Sequence, residues 1–329
     1  MKYRCLVLLA AGLFLCFSGC SEKTISETVF MMDTVVTVTL YDTSDRAILS
    51  GCIDLMQELN DRLSRTNPDS EISRLNAAGG TPTDVSEDTA RLIEKGLTYG
   101  ALSDGAFDIT IAPVSSLWDF HADEPSLPAP DALDAALKRV DYRNVAVEGN
   151  TVTLTGGAQL DLGGIAKGYI ADCAAAFLRE SGIERAVLNL GGNVVVLGSK
   201  RGIDGWSVGI QAPFSPEETL SCAVTVADKT VVTSGIYQRS FVRDGVLYHH
   251  LLDTATGYPK ESDLASATVI CDASADADAL STICYLFGSE KALALADQEG
   301  FDLILIQHDG SVRTTDGIEE RCGFRLLKS

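Results

Sequence analysis

Positive charge is scarce in this chain. Lys and Arg number 26 against 46 Asp and Glu, a net charge of −20, and the first four residues hold two of those cations, Lys2 and Arg4. A surface of that sign repels nucleic-acid backbones and anionic lipid headgroups, so neither is expected as a binding partner. An anionic ligand would need a local countercharge, from a metal ion, a lysine or a helix N-terminus. Histidine is rare as well. The four present and the nine cysteines never converge at metal-ligand spacing, so no zinc site is expected. There is no CxxC pair. Cys5, Cys16 and Cys20 lie near the N-terminus, and Cys52, Cys173, Cys222, Cys271, Cys284 and Cys322 are scattered, most of them in apolar runs. Free cysteine in such runs behaves as a small core residue, which argues against a disulfide framework. Both common phosphate loops are missing: no GxGxxG occurs, and no lysine of a glycine-rich turn is followed by Ser or Thr. No linker, internal repeat or low-complexity segment divides the 329 residues.

The N-terminal stretch "MKYRCLVLLAAGLFLCFSGC" places two positive charges before an apolar run and small residues before Cys20. The run is short for a spanning helix and right for an export signal. "FSGC" resembles a lipobox, the cleavage site of bacterial lipoproteins, with Phe17 where an aliphatic residue is usual. The expectation is a signal peptide over 1–19, lipidation at Cys20, a tether over 20–28 and a domain over 29–329. The domain would be lipid-anchored on the extracytoplasmic face of the cell membrane. An uncleaved anchor is the other reading.

Hydrophobic spacing predicts a strand over 29–41, a helix over 45–64, a short helix within the loop 66–80 and a helix over 87–105. Prolines 125, 128 and 130 mark irregular chain. A hairpin over 145–154 should turn at Gly149-Asn150. Strands follow at 185–198 and 206–211 and onward to 271, then a helical stretch over 274–300 and a closing hairpin over 301–315. The order predicts one α+β domain with mostly antiparallel sheets.

Four segments carry candidate chemistry. In "QLDLGGIAKGYIAD", Asp161, Gly163, Gly164 and Lys167 sit at a strand-to-helix turn whose glycine amides can approach an anion. The same residues also describe a tight turn with an exposed lysine. "SDGAFDITIAP" flanks Gly105, Ala106 and Phe107 with Asp104 and Asp108, which suits a flat ring beside a hydrogen-bonding carboxylate, or simply a turn entering a strand. In "DASADADALSTICYLFG", Asp278 and Thr282 share one helix face, read as exposed. A carboxylate and a hydroxyl suit magnesium. Asp272 and Asp276 offer the plainer account of acids at a helix N-terminus. "YHHLLDTATGYP" puts His249 and His250 on opposite sides of a strand, so only one can serve a site.

"MMDT", "SEISRLN", "DGAFDIT", "DLGGIAKGY", "NLGGN", "HHLLDTATGYP" and "ADALST" follow one another over 29–329 in an order that resembles the ApbE family, the FAD:protein FMN transferases. The resemblance implies an ApbE-like, T-fold-related domain. It implies FAD as co-substrate, Mg2+ as cofactor, and transfer of FMN to a Thr or Ser hydroxyl with release of AMP. It places FAD contacts at Met32, Thr66, Ala106, Phe107, Asp108, Asp161, Lys167 and Leu252. Metal donors would be the Gly164 carbonyl, Asp278 and Thr282. His250 is the candidate base, Asp253 the second choice, and Lys167 would neutralise the leaving AMP or the developing charge. Implied acceptors are extracytoplasmic FMN-binding subunits of Rnf or sodium-pumping quinone reductase complexes. Asp33 departs from the commoner glycine, Thr66 from a ring-stacking tyrosine, and Ser281 from a second carboxylate. A magnesium-dependent FAD pyrophosphatase and a non-enzymatic flavin-binding lipoprotein remain the alternative readings.

Overall fold

The structure is a computed structural model and describes residues 23–120, 122, 124–216 and 219–327. The expected signal peptide over 1–19, the expected lipidation site Cys20 and the first residues of the expected tether lie outside the described residues. Among the described residues no helix is long and apolar enough to cross a membrane.

The expected strand over 29–41 is instead a hairpin of β1 (Thr24–Met31) and β2 (Thr34–Tyr41). The two-residue turn is Met32-Asp33, with φ of 54° and 56°. A turn with both central residues at positive φ matches the twist of the flanking strands. Asp33 tolerates that region far better than most residues, which accounts for its standing where glycine is commoner. Residues 24–28, read as tether, pair with β2 in register Thr24↔Tyr41 through Thr28↔Thr37.

Next come α1 (Arg46–Leu63), capped by Asp45, and α2 (Glu71–Ala77), capped by Ser70. The two-residue β3 (Thr83–Asp84) precedes α3 (Glu87–Leu102), capped by Ser86. The proline-marked region holds two short helices, α4 (Ala112–Ser115) and α5 (Pro130–Leu137), each with proline in its first turn where no amide donor is lost. β4 (Val145–Glu148) and β5 (Thr151–Leu154) form the expected hairpin, and α6 (Ala166–Glu180) follows the glycine turn.

The second half adds β6 (Ala186–Leu190), β7 (Asn193–Leu197), β8 (Trp206–Gln211), β9 (Leu220–Val226) and β10 (Lys229–Gly235). A small hairpin of β11 (Ser240–Arg243) and β12 (Val246–His249) leads to β13 (Leu264–Cys271). The helical stretch over 274–300 is two helices, α7 (Ser274–Phe287) and α8 (Ser289–Glu299), broken at Gly288 with φ of 74°. β14 (Asp302–Gln307), β15 (Val312–Thr314), α9 (Ile318–Cys322) and β16 (Arg325–Leu326) close the chain.

An eight-stranded sheet in the order β1-β2-β6-β7-β10-β13-β14-β15 organises the fold, and its strand pairs are antiparallel. One face, carrying Val36, Val38, Leu188, Leu190, Val195, Val232 and Val269, packs under α1, α6 and α7. The other face presents Val196, Val231, Ile270 and Ile304 to a three-stranded sheet, β16-β9-β8. That small sheet covers the middle and far strands and leaves β2 and β6 open, where Val35 and Asn189 are exposed. The six cysteines outside the N-terminal region are free, and four of them are buried.

Candidate active site

A cleft of about 1310 Å³ opens between the large sheet, the glycine turn and the loop before α4. It exceeds the roughly 300–1000 Å³ usual for small-molecule sites. Of the residues expected from sequence, it brings together Thr66, Ala106, Phe107, Asp108, Asp161, Gly164, Lys167, His250, Leu252, Asp278 and Thr282. Met32 and Asp253 are not in its lining. Met32 takes the first turn position and packs against the core, while its neighbours Asp33 and Thr34 face the cleft.

The centre is the junction of α6 and α7. Asp278 is only 3% exposed, which corrects the reading of an exposed helix-face acid. Its Oδ2 accepts from the Gly168 amide at 2.9 Å, and its Oδ1 lies 3.5 Å from Lys167 Nζ. Gly168 is required by close approach: a Cβ there would stand 2.1 Å from the Ser274 carbonyl oxygen. The two helix starts can therefore touch, and the buried carboxylate caps α6 from outside, where α6 has no side-chain cap of its own. Gly164 is needed for the same reason, because its Cβ would meet the Phe107 ring at 2.9 Å.

The glycine turn is less free to bind anions than its sequence suggests. The Gly163 amide donates to Asp161 Oδ1 at 3.0 Å, so Gly163 and Gly168 both spend their N–H groups on carboxylates. Asp161 Oδ2 in turn pairs with Arg65 Nε at 2.9 Å and accepts from Ser115 at 2.8 Å. Arg65 is thereby fixed in the cleft wall, a cation that sequence spacing did not flag. Its partner lies far along the chain, and only its position next to Thr66 hinted at it.

Asp108 does not offer a free carboxylate to a ring. Oδ1 accepts from the Thr110 amide and hydroxyl at 2.7 and 2.6 Å, and Oδ2 from the Tyr142 amide at 2.8 Å. It braces the loop that presents Ala106 and Phe107. Burial raises its pKa in spite of those bonds. The loop also carries an aromatic wall missed in the sequence. Trp118 and Phe120 line the cleft and stack at 5.6 Å, with Trp118 Nε1 donating to the Gly257 carbonyl at 2.9 Å.

The histidine pair divides, with His249 ending β12 and His250 lying just beyond it. His249 is 5% exposed and packs against Tyr285 in the core, where burial pushes its pKa down to about 4. His250 lines the cleft. Burial and the adjacent Arg239 push its pKa down to about 3, so the imidazole is neutral. Nδ1 lies 3.3 Å from the Arg239 carbonyl, which assigns its proton and leaves the Nε2 lone pair unused. Asp253 is committed elsewhere. Its Oδ2 pairs with Lys260 at 2.8 Å and its Oδ1 accepts from Ala255 at 2.9 Å. Burial pulls its pKa up, but the Lys260 contact and the Ala255 amide bond together outweigh it and hold the carboxyl below its usual range.

Among the described residues no three His, Cys, Asp or Glu side chains gather as a metal group. Asp278 and Thr282 supply one buried carboxylate and one hydroxyl, with Ser234 Oγ 3.2 Å from Thr282 Oγ1. Ser281 turns inward and donates to the Asp278 carbonyl at 3.0 Å. So thin a set of hard oxygens fits magnesium, which keeps waters and shares substrate phosphates, and not a self-sufficient protein cage.

The family model described as "ApbE family" matches residues 32–305. A FAD:protein FMN transferase of Treponema pallidum is 35% identical, covering 96% of this chain and 93% of that one. One from Klebsiella pneumoniae is 35% identical over 87% of this chain and 90% of its own length. Among solved structures, the ApbE protein of Thermotoga maritima superposes with a TM-score of 0.83 at 30% identity, covering 91% of this chain and 99% of that one. The flavin transferase ApbE of Vibrio cholerae gives 0.82 at 26% identity, over 92% and 100%.

Proposed function

The chain belongs to the ApbE family, and on that premise we propose that it is an FAD:protein FMN transferase using a Thr or Ser hydroxyl as acceptor. One observation carries the reading. A single cleft joins the buried Asp278 and its partly exposed partner Lys167, at the head of α6, to a neutral histidine with a free lone pair. The first suits a pyrophosphate and the second suits removal of a hydroxyl proton.

The acceptor oxygen attacks the phosphorus on the FMN side, the bond to the bridging oxygen breaks, and AMP departs with that oxygen. His250 Nε2 is the atom we assign to receive the hydroxyl proton. Its low proton affinity in the protein alone comes first from burial and then from the cations Arg239 and Lys167. Phosphate charge in the cleft offsets those cations and raises the affinity when substrate is present. Lys167 and Arg65 neutralise charge developing on the phosphoryl oxygens. Ala106 and Phe107 supply a flat, close-packed wall for a ring. Asp278, Thr282 and the Gly164 carbonyl would hold magnesium, which when bound screens the pyrophosphate oxygens. We further place the domain on the extracytoplasmic face of the membrane through lipid on Cys20, with Rnf or sodium-pumping quinone reductase subunits as acceptors.

The test is incubation with FAD, Mg2+ and the FMN-binding subunit of such a complex, with and without EDTA. A flavin-fluorescent acceptor band that EDTA abolishes is expected. Free FMN and AMP without a band would make the protein a pyrophosphatase. Bound FAD with no products would make it a flavin carrier.

A further inference from the structure

The cleft has a second lobe that the chemistry above leaves unused. It lies on the uncovered face of the large sheet, over Thr37, Asn189 and Val194. These three residues are register neighbours across β2, β6 and β7. Its facing wall is β8, which contributes Val208, Gly209, Ile210 and Gln211 in unbroken succession. A strand that turned one face to a cleft would contribute every second residue. Four in a row are what the edge of a strand contributes. β8 is the terminal strand of its sheet and pairs only with β9 among the described residues. Its other edge therefore offers unpaired backbone donors and acceptors to the lobe.

We propose that this lobe binds the acceptor as an extended segment that adds to the open edge of β8, carrying its Thr or Ser toward His250. The proposal rests on the transferase reading. The lobe is continuous with the cleft that holds His250 and Lys167. Of its lining on β2, β6, β7 and β8, no side chain is charged, which fits a segment of small neutral residues. A second copy of this chain, with its net charge of −20, would be repelled. Main-chain pairing supplies affinity with little demand on side chains, so several acceptors can share the groove.

The test uses a library of short linear peptides, each with one threonine, incubated with the protein, FAD and magnesium. Labelled peptides are recovered by flavin fluorescence. We expect linear peptides to be labelled, and N-methylation at alternate backbone positions to abolish labelling while side chains stay intact. We expect hydrogen exchange of the β8 amides to slow when peptide is added. Labelling of a folded acceptor but of no linear peptide would overturn the groove alone. So would tolerance of N-methylation throughout. A wild-type protein that labels neither kind of acceptor would sink the transferase reading and this one with it.

Discussion

Replacing Asp278 by asparagine separates the chemistry of the cleft from its architecture. The side chain keeps its size, and its amide oxygen can still accept from the Gly168 amide now bonded at 2.9 Å. What disappears is the charge facing Lys167 at 3.5 Å. Because Lys167 is 25% exposed, its ammonium can turn to water. Exchanging a charge-assisted bond for a neutral one then costs about 1–2 kcal/mol of stability. That is small against the roughly 5–15 kcal/mol that keeps a domain folded, so the variant stays native. The effect on rate is of another order. If the assigned metal supplies about 3–5 kcal/mol of transition-state stabilisation, losing its only carboxylate slows transfer by about two to four orders of magnitude. Single-turnover flavinylation over a magnesium titration, beside a denaturant melt, reads both quantities. Asp276→Asn is the control. That carboxylate turns to α3, where it holds Lys95 and accepts from the Tyr99 hydroxyl at 2.7 Å. It should lose some stability and retain its rate. Parental transfer by Asp278→Asn at every magnesium concentration would refute the metal assignment. A dead Asp276→Asn beside an active Asp278→Asn would mean that the ligand was misread by two residues.

His250→Gln should lower kcat by about two to four orders of magnitude with FAD affinity unchanged in calorimetry, and an undiminished kcat would remove His250 as the base. The buried His249, with its pKa held down to about 4, favours the neutral form on folding, so its contribution is complete above the unfolded value near 6.5 and is lost as pH falls toward 4. At pH 5 the loss is about 2 kcal/mol, and a denaturant midpoint for His249→Phe with the same slope between pH 7 and pH 5 as wild type would contradict it. Gly168→Ala should force α6 from α7 and cost about 1–3 kcal/mol, because the obstacle 2.1 Å away is backbone oxygen and cannot rotate aside; an unchanged melt would show that the helix starts are not in contact.

Local chemistry made much of the fold legible in the sequence. Asp45, Ser70 and Ser86 each cap the helix whose start they mark, and Gly149-Asn150 closes its hairpin. The failures share a cause. Met32-Asp33 breaks 29–41 into two strands without a glycine, so the apolar alternation runs through a turn that looks like strand. Gly288 breaks 274–300 where the apolar spacing continues on both sides. At the site, periodicity put Asp278 and Thr282 on one face. It carried no information about which element covers that face, so the burial of Asp278 under α6 was invisible. The Arg65–Asp161 pair joins distant segments, and nothing local to either residue marked the pairing.

The arrangement of charge explains how so acidic a chain can receive a phosphate. Five aspartates and three basic side chains, Arg65, Lys167 and Arg239, line the cleft. Counted alone, that balance would repel an anion. Three of the aspartates, however, are spent on holding other groups in place. Asp161 fixes Arg65, Asp278 fixes Lys167 and the start of α6, and Asp108 is wholly occupied by backbone amides and a threonine. Arg239 makes no ion pair among the described residues, and its guanidinium reaches only the Met32 carbonyl, at 3.4 Å. The acids thus aim the cations instead of cancelling the site from a distance, while the rest of the surface keeps its repulsion. A magnesium ion held by Asp278 would extend the same logic, because it would add positive charge at the point where the proposed phosphate is bound.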